Sequence, residues 1–184
     1  MGLAREDRED LREVARRAVA LAARCGAPLR VDPREYAPRL RERGASFVTL
    51  RRGGDLRGCT GRLEASEPLV ADVARSAHRA AVADPRFEPV EERELAELEL
   101  KISVLSPLEP LPARSEAELL AALRPGVDGL VLREGVAGAT FLPAVWESLP
   151  DPAAFLRELR RKAGLPGHHW SAQLRFERYT ALEF

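Results

Sequence analysis

A glycine-rich turn at Gly53-Gly54-Asp55, between two segments that favour strands, most constrains how this chain can fold. The segment before it, Ala45–Arg51, is rich in β-branched and aromatic residues, and Leu56–Leu63 follows it. Two such segments joined by this turn predict an antiparallel hairpin. The second segment reads Leu-Arg-Gly-Cys-Thr-Gly at residues 56–61, which sets a thiol between two glycines. Because glycine has no Cβ, another group can approach the backbone closely there.

The remaining patterns mix helices and strands without the strict alternation of a parallel α/β fold. Apolar residues at helical spacing predict helices at residues 6–25, 66–83, 115–123 and 151–164. Ser66 and Ser115 are the predicted N-caps of the second and third helices. Alternating residues predict a strand at 98–104, a second hairpin over 130–142 and one closing strand at 174–184. This mixture predicts an α+β fold with a mixed or antiparallel sheet and flanking helices.

Length and charge limit the class of protein. The 184 residues predict a single domain, residues 1–184, with room for a smaller appended lobe. The 29 basic and 29 acidic residues give no net charge, which removes the electrostatic argument for a nucleic-acid partner. No apolar run reaches the roughly 18 residues of a membrane span, and the acidic start is unlike a secretory signal. We therefore predict a cytoplasmic protein with no membrane or nucleic-acid partner. Cys25 and Cys59 are expected as free thiols, with a disulfide between them as the alternative.

The hexapeptide at residues 56–61 resembles the Leu-Arg-Gly-Cys-Ile-Gly signature of the AMMECR family, whose prokaryotic members are called AmmeMemoRadiSam system protein A. Further segments are similar to the family in the same order along the chain. They are Gly44–Leu50, Asp84-Pro85-Arg86-Phe87, Leu98–Pro107, Gly129–Val131, Phe141–Pro143 and Arg161–Pro166 followed by Trp170. Two departures stand out, because Thr60 replaces an expected isoleucine and Lys101 replaces an expected acid.

The resemblance implies an AMMECR-like α+β fold of two unequal lobes, with the Cys59 stretch facing a cleft between them. The boundary between the lobes is not set by the sequence. The resemblance also implies a role in the AmmeMemoRadiSam system, with a Memo-like protein and a radical SAM protein as companions. A small-molecule or peptide ligand would occupy the cleft. No reaction follows from the resemblance, so whether the protein is an enzyme stays open.

Cys59 is the candidate nucleophile or thiol carrier. Cations or amide donors near a thiol lower its pKa and raise its reactivity. His78 is a weaker candidate as the base of a Cys–His pair. The residues expected to bind the ligand are Arg57, Gly58, Thr60, Gly61, Asp84 and Arg86, with Arg57 holding an anionic group. The alternative reading of Cys59 is a small buried side chain in a glycine turn.

Other motifs weigh against a cofactor. His168 and His169 could bind a metal, but adjacent residues point apart and no third ligand is evident. The sequence has no phosphate-binding loop, no dinucleotide-binding glycine pattern and no Cys-x-x-Cys pair. We therefore predict neither a metal nor a cofactor. The competing class of function is a non-catalytic protein-binding or adaptor module, in which residues 56–61 form a rigid recognition surface.

Overall fold

Two four-stranded sheets with helices packed against them form the fold, as seen in a computed structural model that describes residues 2–184. The helices are α1 (Arg5–Cys25), α2 (Pro38–Arg41), α3 (Leu69–Val82), α4 (Glu116–Ala122) and α5 (Pro152–Lys162), with 3₁₀ helices at Pro33–Glu35, Glu92–Glu97 and Pro143–Glu147. The strands are β1 (Arg43–Gly44), β2 (Ser46–Arg52), β3 (Asp55–Gly61), β4 (Glu67–Pro68), β5 (Leu98–Leu105), β6 (Glu109–Pro110), β7 (Gly129–Glu134), β8 (Ala137–Phe141), β9 (Arg175–Tyr179) and β10 (Ala181–Glu183). The predicted α+β class is confirmed.

Unit 1 comprises residues 2–105 and 182–184. Its sheet has the strand order β10-β5-β2-β3, and β2 pairs antiparallel with both β3 and β5. Helices α1 and α3 pack on one face of this sheet through small and aliphatic residues at helical spacing. The buried residues of α1 include Leu11, Val14, Ala15, Ala18, Val19 and Ala22, the face that the sequence predicts. Those of α3 include Val70, Val73, Ala74, Ala77 and Ala81.

Unit 2 comprises residues 106–181, and its sheet has the strand order β6-β9-β7-β8. The predicted hairpin over residues 130–142 is present as β7 and β8, which turn at Gly135. Helices α4 and α5 begin at side-chain caps, since Ser115 accepts from the Glu118 amide and Asp151 from the Ala154 amide. Aromatic and leucine side chains form the core, including Trp146, Phe155 and Phe176.

The second predicted helix begins later than the sequence suggests. Ser66 does not cap it; instead Glu67 and Pro68 form β4, which pairs with β1. Helix α3 then starts at Leu69, whose amide donates to the Glu42 carbonyl at 2.8 Å. A backbone acceptor from a distant part of the chain thus does the work of the expected serine cap.

The predicted closing strand is two strands. Strand β9 belongs to the sheet of unit 2, whereas β10 lies beside β5 in unit 1. The break falls at Thr180, whose amide donates to Ser106 Oγ at 2.9 Å. Alternation continues through the break in the sequence, so the pattern hides the change of sheet. Within residues 2–184, no helix has the length and apolarity that crossing a membrane requires.

Candidate functional site

Cys59 lies in a row of side chains that crosses three neighbouring strands of unit 1. In the pairing of β2 with β3, Cys59 is opposite Thr49, and in the pairing of β2 with β5, Thr49 is opposite Lys101. Residues directly opposite one another in a sheet project from the same face. This face is the reverse of the one that α1 and α3 cover, because Val48 and Leu50, on either side of Thr49, are fully buried in the core.

A bulge in β3 sets the direction of Cys59. The pairing begins at the turn with Arg52 opposite Asp55, and the register shifts between Leu50 and Arg51 so that Arg57 is the extra residue. Continuing the initial register would put Cys59 opposite Val48, on the core face. The inserted Arg57 turns Cys59 to the other face instead, where it is half-buried.

The sulfur of Cys59 receives a hydrogen bond from its cross-strand neighbour. Thr49 Oγ1 donates to Cys59 Sγ at 3.3 Å. This hydrogen bond holds the sulfur, the nucleophilic atom of cysteine, beside the Thr49 hydroxyl. The other cysteine, Cys25, is exposed at the end of α1, and both cysteines are free thiols.

The Asp-Pro-Arg-Phe segment that follows α3 anchors the backbone of Cys59. Asp84 Oδ2 accepts from the Cys59 amide at 2.8 Å, and Arg86 donates to the same carboxylate at 2.9 and 2.7 Å. The Arg86 hydrogen bonds, with help from the Cys59 amide, lower the pKa of Asp84 to about 2. Asp84 is therefore ionised at neutral pH, and it is buried.

Arg86 lies beside Cys59 as well as Asp84. Its Nη2 donates to the Cys59 carbonyl at 3.4 Å, and the Asp84 carboxylate raises the pKa of the guanidinium, with a smaller contribution from the Cys59 sulfur. About half of the Arg86 side chain, 54%, is exposed, so the cation can also reach a ligand. The structure therefore brings together three of the predicted residues, Cys59, Asp84 and Arg86.

The two glycines of the hexapeptide have packing roles. A Cβ at Gly58 would overlap the carbonyl oxygen of Ala80, so α3 approaches β3 down to backbone contact. A Cβ at Gly61 would overlap the Ser46 carbonyl and Phe47. Thr60 is opposite Val48, on the reverse face of the strand from Cys59. Its hydroxyl therefore does not join the thiol on one face.

Arg57, predicted to hold an anionic group of the ligand, is bound to groups of the protein itself. Its Nε and Nη2 donate to the two carboxylate oxygens of Glu94 at 2.8 and 2.9 Å. The remaining bonds go to the carbonyls of Glu88 at 2.8 Å and Pro89 at 3.2 Å. These contacts attach the segment after α3 to the bulge of β3, and only 17% of the Arg57 side chain is exposed.

Glu94 is the acceptor at the centre of this attachment. Its carboxylate also accepts from Arg52 at 3.2 Å and from the Glu91 amide at 2.8 Å. The hydrogen bonds from Arg57 come first among the causes that lower its pKa to about 2. Only 6% of its side chain is exposed. A buried carboxylate with this many donors is fully compensated and stays ionised.

The histidines lie elsewhere. His78 Nε2 is 2.9 Å from the Gly26 carbonyl at the end of α1, and within residues 2–184 no hydrogen bond joins a histidine to Cys59. His169 Nε2 is 2.7 Å from Glu134 Oε2 in unit 2, and Ser171 donates to the same carboxylate. Over the part of the chain that the structure describes, no three His, Cys, Asp or Glu side chains converge as a metal site requires.

Sequence reasoning missed Thr49 and Glu183 as neighbours of the candidate site. Glu183 pairs with Lys101 and accepts from Ser103 Oγ at 3.2 Å, so it extends the polar row to a fourth strand. In the sequence, the only indication of this polar row was Lys101, which stands where the family is expected to have an acid. Finding Thr49 would have required knowing the bulge, since the regular register pairs Cys59 with Val48.

Comparison with known proteins identifies the family. The AMMECR1 family model matches residues 12–184. A protein of Methanothermobacter thermautotrophicus is 38% identical over 169 residues, covering 89% of this chain and 85% of its own. One of Thermococcus gammatolerans is 36% identical over 184 residues, covering 94% and 87%. The crystal structure of an uncharacterized protein from Pyrococcus horikoshii matches with a TM-score of 0.86 at 33% identity, covering 94% of this chain and 88% of the other. The chain therefore belongs to the AMMECR1 family.

Proposed function

We propose that this protein binds a small anionic ligand at a site centred on Cys59, with the thiol as nucleophile or carrier. The observation that carries the proposal is the cross-strand row of Cys59, Thr49 and Lys101, in which Thr49 Oγ1 donates to the sulfur at 3.3 Å. A half-buried thiol with a hydroxyl donor and cations nearby has the environment of a reactive cysteine.

The charge around the row supports an anionic ligand. Arg86 is half-exposed beside the Cys59 carbonyl, and Lys101 lies on the same sheet face two strands away, where it pairs with Glu183. We assign the binding of an anionic group to these two cations. Arg57, whose guanidinium is held by Glu94, acts in this proposal by fixing the bulge that directs Cys59.

The covalent step uses only the thiol and an electrophilic carbon of the ligand. The thiolate sulfur attacks that carbon, the new carbon–sulfur bond forms from the sulfur electron pair, and a leaving group departs with the electrons of the broken bond. The thiol proton ends on the leaving group or in solvent. The Thr49 hydroxyl holds the sulfur in position by its hydrogen bond before attack.

The pH dependence of alkylation at Cys59 tests this proposal. Peptide mass spectrometry follows iodoacetamide labelling of Cys59, with exposed Cys25 as the internal reference. We expect Cys59 to react much faster than Cys25 below pH 7. We also expect Thr49→Val to slow Cys59 alone by about threefold to tenfold, the effect of one lost hydrogen bond.

Thr60→Val is the matched control, because it removes a hydroxyl on the same strand but from the opposite face. It should leave the labelling rate of Cys59 unchanged. Labelling of Cys59 that begins only with unfolding, or equal slowing by both variants, would contradict the thiol-centred site.

The alternative function is a non-catalytic adaptor module. The overlap that any Cβ would create at Gly58 and Gly61 supports it, because the packing of α3 and β2 explains these glycines without chemistry. An inert Cys59 together with intact binding of a partner protein would favour the adaptor. Under either function, the Memo-like and radical SAM companions, the cleft and the cytoplasmic location remain part of the proposal and rest on family membership and sequence.

A further inference from the structure

Unit 1 contains a cavity on the face of the sheet opposite to Cys59. A cavity of about 490 Å³ opens between α1, β2 and the start of β5. Small-molecule sites in proteins have volumes of about 300–1,000 Å³. The lining residues are Arg16, Val19, Ala20, Leu50, Leu95, Leu98, Glu99 and Leu100.

The floor of the cavity is apolar and belongs to the hydrophobic core of unit 1. Val19 and Leu50 are buried, and Leu98 and Leu100 are half-buried against the same core cluster. Leu50 and Leu100 are directly opposite one another in the sheet. Contact with aliphatic side chains favours an apolar ligand body, since burying it removes hydrocarbon from water.

Arg16 supplies a cation at the edge of this apolar surface. Helix α1 carries six arginines, and the other five have partners: Glu9 for Arg5, the Leu3 carbonyl for Arg8, the Phe184 ring for Arg12, Glu13 for Arg17 and Glu92 for Arg24. Arg16 is exposed and, within residues 2–184, has no hydrogen bond, ion pair or ring contact. An unpaired guanidinium beside an apolar cavity is suited to the head group of an amphiphilic anion.

Glu99 does not cancel this charge. Although Glu99 is among the lining residues, it alternates with Leu98 and Leu100 along β5, which directs its side chain to the sheet face that carries Lys101. The cavity therefore combines an aliphatic floor with one cation at its edge.

We propose that this cavity binds a monoanionic amphiphile, a carboxylate with an aliphatic body, with Arg16 on the carboxylate and the body on Leu50 and Leu100. This site is separate from the one proposed around Cys59, because Leu50 and Leu100 project from the opposite face of the sheet to Thr49 and Lys101. Neither proposal depends on the other.

Binding of decanoate to the full-length protein tests the inference, followed by amide chemical shifts in NMR. We expect saturable shifts at Val19, Ala20, Leu50 and Leu100. Decanol, which lacks the charge, and acetate, which lacks the body, should each bind at least about threefold more weakly. No saturable shift at these residues, or decanol binding as tightly as decanoate, would overturn the proposal.

Two variants locate the site on the protein. Arg16→Gln should weaken decanoate binding about threefold to tenfold, whereas Arg17→Gln, whose side chain pairs with Glu13, should not. Ala20→Leu should fill part of the cavity and weaken binding of decanoate and decanol alike. Equal effects of Arg16→Gln and Arg17→Gln would show general attraction to a basic helix and would overturn the assignment. Retention of the wild-type amide spectrum outside the cavity confirms that each variant folds.

Discussion

The core of unit 1 is built from aliphatic and alanine side chains, whereas the core of unit 2 is centred on aromatic rings. In unit 1, small residues let α3 approach β3 until the Ala80 carbonyl meets Gly58. In unit 2, the Trp146 and Phe155 rings stack with their centroids 3.8 Å apart. The packing of unit 1 therefore requires small residues at the contact of α3 with β3, whereas the core of unit 2 is filled by large side chains. The candidate thiol lies in the unit that tolerates added atoms least.

Removing a ring should give the largest effect. Phe155 is fully buried and contacts both Trp146 and Phe141, so Phe155→Ala should lower the free energy of unfolding of unit 2 by about 3–5 kcal/mol. Hydrogen exchange at β7 and β9 measures this loss. Val136→Ala, at a fully exposed position, is the control and should change little. A loss below about 1 kcal/mol would show that the aromatic stack does not hold unit 2 together.

Adding one methyl group should destabilise unit 1 more than unit 2. Gly58→Ala forces the new Cβ against the Ala80 carbonyl, and we expect a loss of about 1–3 kcal/mol as α3 shifts. Gly138→Ala in unit 2 is the matched control, because the nearest atom to its Cβ is the Leu132 carbonyl oxygen at 3.5 Å. Hydrogen exchange at β2 and β3 distinguishes the two variants, and equal effects would remove the contrast between the units.

The ionic attachment of Arg57 to Glu94 should be sensitive to acid. The pKa of Glu94 is lowered to about 2, so its contribution is fully present above the unfolded value of about 4.3 and is lost as the pH falls toward 2. We expect Glu94→Gln to destabilise unit 1 by about 2–3 kcal/mol at pH 7 and by much less near pH 2. Urea unfolding at pH 7, 5, 3 and 2 measures the trend. Glu97→Gln, at a 57% exposed partner of Arg52, is the control, and a pH-independent effect of Glu94→Gln would contradict the ionic explanation.

Helix capping should give the smallest effect. The Asp151 side chain accepts from the Ala154 amide at 2.8 Å, so Asp151→Ala should cost unit 2 about 1 kcal/mol. Asp151→Asn keeps an acceptor and should cost less. Helix α3 of unit 1 has no side-chain cap, because its first amide donates to the Glu42 carbonyl. No difference between the two Asp151 variants in thermal unfolding would contradict a capping role.

The elements that local patterns encode were predictable. The buried faces of α1 and α3 follow helical spacing. The caps of α4 and α5 are hydrogen bonds between residues three apart in the sequence, so a local pattern can indicate them. The failures came from pairing between distant segments. Glu67 and Pro68, predicted to be helical, instead form a strand that pairs with β1. The predicted closing strand is divided at Thr180 between two sheets.

The candidate site was predictable in its residues more than in its geometry. The hexapeptide and the Asp-Pro-Arg-Phe segment pointed to Cys59, Asp84 and Arg86, which the structure brings together. The role of Arg57 could not be foreseen, because a bulge has no fixed sequence signal and decides by one residue which face each side chain takes. The same bulge determines that Thr49, rather than Val48, lies opposite the thiol.

The division of the closing strand has a consequence for biosynthesis. Strand β10 lies in the sheet of unit 1, although the 75 residues 106–180 separate it in sequence from β5, the strand beside which it lies. A ribosome must therefore complete unit 2 before the sheet of unit 1 can gain this strand. Until then, the β5 edge exposes unpaired amides and carbonyls, which other chains can also pair with. The newly made protein therefore carries an open sheet edge at β5 until β10 emerges.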